Sequence, residues 1–404
     1  MSLDKADRPR VIVIGAGPIG LTTAVLLAQN RVRTLLVGQN LSRSDNRTTA
    51  LLGGSISALG ALGVWTHCSD KAAPLRVIRI VDDTDRLWRA PEVKFAAEEL
   101  GLDAFGYNIE NRDLVAALTS RARELPELGL ADDQVVAVFP RKDSVAVSLR
   151  SGRSVSAELV IGADGRQSMC RKAAGISFRE RNYSQVALTV CLRHSRSHDD
   201  ASTEFHTRTG PFTLVPLPGN RSSLVWVVDS SRADELAAAS DVDLANEIEH
   251  ASHSILGKIT VEPGRAVFPL HAAVATPFAE KRIALVGEAA HVIPPIGAQG
   301  LNLGLRDAAA IGELIVSALR GHRDPGDADV LARYERMRRA DVETRALAID
   351  LVNRSLLSDF LPVQGARGLS LYLLGRIGPL RRAIMREGIA PALSEPRLMR
   401  GEIL

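Results

Sequence analysis

The stretch VIVIGAGPIG, residues 11–20, decides the fold. Four apolar residues run into a cluster of glycines, and a helical pattern follows from Leu21 to Ala28. Strand, tight turn and helix in that order form the context in which G-x-G-x-x-G reads as a dinucleotide site. Gly15 permits the turn, Gly17 lets a pyrophosphate approach the backbone, and Gly20 lets the helix pack close to the strand. Ala16, Pro18 and Ile19 complete the loop, and the helix N-terminus offers free N–H groups and positive dipole to phosphates. Apolar–glycine turns also occur as plain structure, so the motif draws its weight from the rest of the chain.

One expected feature is missing. A nucleotide site of this type usually places an acid at the end of the second strand, roughly 20 residues after the glycines, to hold the ribose hydroxyls. The second strand here is RTLLV, residues 33–37, and Gly38, Gln39 and Asn40 follow it. Either amide can hydrogen-bond a ribose, but neither supplies charge. The adenosine end is expected to be held less tightly than usual, or by other groups.

The chain of 404 residues is long enough for two or more intertwined units. Its composition, 46% hydrophobic and 24% charged, is that of a globular protein, and a net charge of +3 gives no case for nucleic acid. Cys68, Cys170 and Cys191 are scattered, without zinc or redox spacing, and read as buried thiols in a reducing compartment. No metal site is expected. No segment has the apolar length to span a bilayer, and the polar start MSLDKADRPR does not read as a signal peptide. The expectation is a soluble, cytoplasmic protein, with peripheral contact to a membrane left open.

Along the chain the patterns alternate. Residues 55–63 read as a short helix, and Leu75–Val81 and Val93–Phe95 as strands outside the first sheet. Asn111 is a plausible N-cap for a helix running to Glu124. Val135–Phe139, Ser144–Leu149 and Val155–Ile161 read as strands, with Ser151-Gly152 turning a hairpin, and another helix starts near Arg166. From Tyr183 to Leu270 strands dominate, clearest at Val186–Leu192, Phe212–Leu217, Leu224–Val228 and Arg265–Leu270. Helical patterns at Ala233–Ala239 and Val242–His250 lie among them. A strand over 282–287 and a long helix from Leu301 to Leu319 then resume the nucleotide-type pattern, and the chain reads as helical from Asp329 onward. The fold class is α/β: a Rossmann-like nucleotide-binding domain (1–75, 100–180 and 277–345) interrupted by a strand-rich substrate domain (76–99 and 181–276). A helical C-terminal segment (346–404) completes the chain.

Two further motifs carry chemistry. LVIGADGRQS, residues 159–168, ends a strand in a tight turn and places Asp164 where open α/β sheets bind ligands; a capping Asp in a loop is the equal alternative. VGEAAHVIPPIGAQGLNLGLRD, residues 286–307, sets Gly297 and Gly300 around a turn just before a helix, so exposed N–H groups would point at a flat ring or its phosphate tail. Pro294 and Pro295 stiffen the approach.

Together the three segments resemble the flavin-dependent aromatic hydroxylases of the para-hydroxybenzoate hydroxylase superfamily. DNRTTAL (45–51), GLNLGLRD (300–307), LVW (224–226) and the tail RGL…GPL (367–369, 378–380) are similar to the ubiquinone-biosynthesis hydroxylases in it, and the resemblance spans nearly the whole chain. It implies FAD as cofactor and NAD(P)H as reductant. The implied reaction uses O2 to hydroxylate a phenol-like ring, polyprenylated in the quinone-pathway members. It places Gly15, Ala16, Gly17, Pro18, Ile19 and Gly20 on the FAD pyrophosphate, Arg47 near the flavin, and Arg112 at the phosphate–ribityl portion. Asp164 and Gly165 match the family's Asp-Gly motif. Gly287 and Glu288 match its Gly-Asp motif with a longer acid, which changes the reach toward the ribityl chain. Pro295, Gly297, Gly300, Leu301 and Asn302 would lie along the isoalloxazine edge.

His291 reads as structural, His206 and His271 as packed strand residues, and no catalytic base is named. Pocket walls are expected from Thr203–Thr207, Phe212–Leu217 and Leu224–Val228. The tail from Arg367 to Arg400 mixes apolar and basic residues, and reads equally as a membrane contact or as a helix docked on the protein. Three other readings stay open: a hydroxylase of a small soluble aromatic, a non-catalytic FAD-binding accessory protein, and a plain NAD-linked dehydrogenase. The oligomeric state is not legible.

Overall fold

The computed structural model describes residues 8–39, 47–84, 91–295, 297–357, 368–370, 372–374, 376–389 and 395–404. Asn40, Asp45, Asn46 and Arg367 lie outside the described residues.

The apolar runs Val11–Ile14, Leu159–Gly162 and Ile283–Leu285 form the middle of the first sheet, and all are buried on both faces, as central parallel strands must be. Its order is Ala279–Glu280, Ile283–Leu285, Leu159–Gly162, Val11–Ile14, Thr34–Val37 and Leu128–Ala131. All neighbours are parallel except the first pair, a hairpin. Val11 faces Leu159 on one side and Thr34 on the other, so three segments from distant parts of the sequence end at one edge. The helices Pro18–Gln29, Asn111–Arg123 and Gln299–Arg320 pack on this sheet and on one another.

A larger, mostly antiparallel sheet is built around the long strand Ser177–His194, which pairs with Ala266–Thr276 on one side and Arg221–Asp229 on the other. Pro211–Leu217, Ala201–His206, Val77–Asp82 and Val93–Ala96 continue it outward. The helices Ser230–Ala238 and Asp241–Ala251 cover one of its faces, on a core that includes Leu188, Phe205, Phe212, Leu224 and Trp226. Its opposite face meets a small separate sheet made of Thr48–Leu52, Gly106–Glu110 and Ala73–Pro74: the Thr48 hydroxyl donates to Ser223 Oγ at 2.8 Å, and the Asn108 amide donates to the Pro216 carbonyl at 2.9 Å.

The structure departs from the sequence reading at several boundaries. Val155–Ile161 is two strands, Ser154–Ala157 in a small antiparallel meander and Leu159–Gly162 in the parallel sheet. The break falls at Glu158, whose carboxylate takes both Arg10 donors and whose N–H donates to the Arg10 carbonyl. An apolar alternation carries no mark of a change of sheet. Asn111 is not the cap of its helix: Glu110 holds that position, and Asn111 Oδ1 instead accepts the Thr49 hydroxyl at 2.6 Å. The tail is helical over Ala328–Leu357 and Gly378–Ile389, and then ends in a short turn at Arg397–Arg400. Among the described residues no helix is long and apolar enough to cross a membrane.

Candidate active site

The three motifs meet at the C-terminal ends of adjacent parallel strands. Gly15 (φ +113°) approaches the second motif so closely that a Cβ on it would sit 2.2 Å from the Ala163 carbonyl oxygen. The Ala163 N–H donates to the Ile14 carbonyl at 2.8 Å, and the Val286 N–H donates to the Gly162 carbonyl at 3.0 Å. Ile19 closes the third side. A Cβ on Gly287 would lie 3.3 Å from its side chain, and one on Gly304 only 2.8 Å. Residues 15–20, 163–165, 287–295 and 297–304 therefore form one continuous wall.

That wall is open where a ligand needs room. A Cβ on Gly17, Gly165, Gly297 or Gly300 would meet nothing within 4 Å, whereas one on Gly20 would strike the Gly15 carbonyl oxygen at 1.9 Å. No side chain caps the helix that starts at Pro18 or the one that starts at Gln299. The backbone N–H groups of each first turn thus lack an intrahelical partner and can receive an anionic or carbonyl-bearing ligand. Gly297 (φ +67°) and Ala298 (φ +54°) turn the chain left-handed just before the second of these helices. Glycines open to space beside two uncapped helix starts fit a flavin dinucleotide. Pro295 ends the described approach to this turn.

Asn302 fixes the turn from behind. It is buried, and all four of its hydrogen-bonding capacities are used: Oδ1 accepts from Leu52 N–H and Ser55 Oγ, and Nδ2 donates to the Ala50 and Ala298 carbonyls. Its side chain is thereby committed to the protein, which leaves backbone groups at Gly300 and Leu301 to meet a ligand. Asp164 behaves in a similar way. Its carboxylate accepts from Ser168 Oγ at 2.6 Å, Met169 N–H at 2.7 Å and Cys170 N–H at 3.1 Å, so it secures the start of the helix Met169–Ala174.

Around the mouth stand charged side chains. Glu288 is half exposed and pairs with Arg166 at 3.4 Å; the Arg166 guanidinium also lies 3.0 Å from His271 Nε2 on the larger sheet. The sequence reading missed Arg166, whose only signal was its place two residues after Asp164, and treated His271 as merely packed. Arg112 pairs with Glu110 at 2.7 Å and remains half exposed. Arg47, exposed, has its guanidinium carbon 5.7 Å from the Phe268 ring centroid, and its carbonyl accepts the Asn111 N–H. Arg47 and Arg112 are thus brought together along the pairing of Thr48 with Glu110. Gly38 explains why no acid stands after the second strand. A Cβ there would lie 2.5 Å from the Ala16 Cβ and 2.6 Å from its nitrogen, so this strand end packs directly on the glycine loop.

Behind the cradle lies a buried ionic chain. Asp307 Oδ2 is 2.6 Å from His291 Nε2 and accepts the Gly287 N–H at 2.9 Å, while Oδ1 accepts Arg338 Nε at 2.7 Å. Arg338 continues to Asp341, which also takes Arg306 and Arg345. Burial pushes the Asp307 carboxyl up, but His291 and Arg338 outweigh it and hold it below the ordinary range. Burial likewise opposes ionised Asp341, and Arg338 with Arg345 holds that carboxyl well below its usual value. Asp307 thus gathers His291, Arg338 and the Gly287 turn on one carboxylate.

Comparison with known proteins agrees with this geometry. The family described as an FAD binding domain matches residues 8–347. Ubiquinone hydroxylase UbiL of Rhodospirillum rubrum is 35% identical over 97% of this chain and 92% of its own length. The 3-demethoxyubiquinol 3-hydroxylase of Escherichia coli is 31% identical over 93% of this chain and 97% of its own. Among solved structures, p-nitrophenol 4-monooxygenase PnpA of Pseudomonas putida superposes with a TM-score of 0.78 at 20% identity, covering 94% of this chain and 97% of that one. HpxO of Klebsiella pneumoniae complexed with FAD gives 0.74 at 20% identity, covering 94% and 98%. At these identities the superpositions speak for the fold alone.

The chain belongs to the FAD-dependent aromatic hydroxylases. It is an FAD-dependent monooxygenase.

In this hydroxylase the expected pocket walls divide by strand alternation. Phe205, Phe212, Leu214, Leu224 and Trp226 belong to the helix-covered core on the outer side of the larger sheet. Their neighbours in sequence, Glu204, His206, Thr213, Val215, Ser223 and Val225, take the face turned toward the cradle. The largest apolar side chains in those runs therefore build the scaffold. A single sequence could not say which half of each alternation looks inward.

Proposed function

We propose that this hydroxylase holds FAD in the cradle and hydroxylates a phenol-like ring of a polyprenylated quinone precursor, with O2 and NAD(P)H as co-substrates. The reading is carried by the near full-length likeness to two hydroxylases whose names specify ubiquinone and demethoxyubiquinol, joined to a cradle with the room a flavin needs. Residues 15–20 would take the pyrophosphate. Arg112 would reach the phosphate–ribityl portion, Arg47 the flavin's side of the cleft, and Glu288 the ribityl hydroxyls. Gly287, Pro295, Gly297 and the backbone of Gly300, Leu301 and Asn302 would line the ring edge. Asp164 would act by holding the Gly165 turn open. When bound, FAD would supply the redox chemistry, hydride acceptance and dioxygen activation. The chain's own task is to orient the ring, exclude water from the closed site and manage the phenolic proton.

The tail supports a lipid-borne substrate. Met385 buries against Val93, Phe95 and Phe105, and Arg381 pairs with Glu99, so the helix Gly378–Ile389 docks on the substrate sheet. Leu369, Tyr372, Ile377 and Leu380 nevertheless stay exposed among Arg376, Arg382 and Arg386. A basic, apolar surface of this kind suits peripheral contact with a membrane that carries a prenylated substrate.

The test is NADH and NADPH oxidation by the FAD-loaded protein with a panel of polyprenylphenols and of water-soluble phenols, with the products analysed. Stimulation by polyprenylphenols, with one oxygen added to the ring, is the expected result. Turnover with soluble phenols alone would move the assignment to a soluble aromatic, and no stimulation by any phenol would leave an accessory flavoprotein.

A further inference from the structure

The strand Ala201–His206 carries a pair of side chains that the flavin cradle does not use. His206 Nε2 lies 2.8 Å from Glu204 Oε1, and Thr213 Oγ1 donates to the other carboxylate oxygen at 3.4 Å. His206 is only 6% exposed, and its Nδ1 is buried with no hydrogen-bond partner among the described residues. The carboxylate holds a hydrogen on Nε2, which leaves Nδ1 as an open lone pair. A buried acceptor without a donor is costly, so an unfilled one points to a donor that arrives from elsewhere.

The position of the pair says what that donor is. Phe205 turns to the helix-covered side, so Glu204 and His206 turn to the other. At its centre this inner face meets the nucleotide-binding part through Ser223, which takes the Thr48 hydroxyl and the Asn108 amide. At its edge Ile78 and Ile80 pack with Met385 and Leu374 of the C-terminal helices. The pair therefore lies on the face between the flavin cradle and the C-terminal helices. In register, Glu204 stands beside Ile80 and Thr213, and His206 beside Asp82 and Pro211. Asp82 directs Oδ1 to the Thr84 N–H and hydroxyl.

Resting on the aromatic-hydroxylase reading, we propose that His206, positioned by Glu204, accepts the hydroxyl hydrogen of the phenolic substrate through Nδ1. The phenol O–H bond breaks, an Nδ1–H bond forms, and the electron pair stays on the oxygen, where it activates the ring for attack at carbon. Glu204 balances the imidazolium charge. Burial pushes the Glu204 carboxyl up, but His206 outweighs this and keeps it below its ordinary value, as a counter-ion requires.

The probe is 4-nitrophenol, whose phenolate absorbs violet light and whose neutral form does not. It is titrated into FAD-loaded protein at a pH where the free probe is mostly neutral, and difference spectra report binding and ionisation separately. Wild type is expected to raise the ionised share of bound probe. His206→Phe is expected to bind it roughly tenfold more weakly and keep it neutral. His206→Asn, with an amide oxygen near the Nδ1 position, is expected to restore affinity without ionisation. Glu204→Gln should lower the ionised share while FAD content stays that of wild type. If His206→Phe or His206→Asn, with FAD retained, ionises the bound probe as wild type does, the role of the pair is refuted. Failure of wild type to bind any phenol, polyprenylphenols included, would overturn the hydroxylase reading as well.

Discussion

Gly17 and Gly20 are required for different reasons. At Gly20 a Cβ would collide with the Gly15 carbonyl, so the protein itself demands glycine; at Gly17 a Cβ would project into open space, so only a ligand demands it. Gly17→Val should therefore fold, with a melting temperature within a few degrees of the wild-type apoprotein, and purify without yellow colour. Visible absorption and thermal unfolding check both halves, and a variant that kept its full complement of FAD would contradict the assignment of this loop. Asp307 makes a different prediction. Asp307→Asn leaves buried Arg338 short of a counter-charge and should cost about 3–5 kcal/mol. Asp307 and Asp341 both titrate lower in the folded chain than unfolded. Their contribution is therefore complete above the ordinary carboxylate value of about pH 4 and is lost as the pH falls below it. Thermal unfolding from neutral pH to pH 3 should show wild-type stability falling steeply at the acid end and that of Asp307→Asn falling less.

At the scale of elements, the helix Pro18–Gln29 and the helix Gln299–Arg320 interlock. Ile19 fills the space at Gly304, and Leu26 fills the space at Gly312, where a Cβ would come within 2.3 Å of it. Gly304→Ala should overpack this contact, lower stability by about 1–3 kcal/mol and weaken FAD retention, because Ile19 also borders Gly287; unfolding and flavin release measured together would check it. The sequence made these elements legible, since strand, glycine turn and helix each carry their own local pattern. What it left out were events without a local pattern. The change of sheet at Glu158 is set by Arg10, 148 residues away. The inward side of Ala201–His206 is set by which face two helices happen to cover. Arg338 lies in the middle of a long charged helix, and nothing around it in the chain marks it as the partner of Asp307. Glu204 and His206 stand two apart, an ordinary spacing until the structure shows one nitrogen paired and the other not.

At the scale of the whole molecule, the chain leaves the parallel sheet, builds the larger mixed sheet, and returns for the strand Ile283–Leu285 and the helix that follows. The return brings Gly287 and Gly304 of the third motif against the first glycine loop through Ile19, over a separation of more than 260 residues. Gly38 fits the same picture, because the close approach of the second strand to Ala16 replaces the space an acid would need. The central claim is that both ends of this path build a single flavin site. The measurement that tests it most directly is a titration of apoprotein with FAD, followed by flavin fluorescence, for wild type and for Gly300→Val. That substitution lies far along the chain from the first glycine loop, and its Cβ meets nothing in the protein. Wild type should bind one equivalent of FAD per chain, and folded Gly300→Val should bind it at least tenfold more weakly. Unchanged stoichiometry and affinity in Gly300→Val would contradict the account.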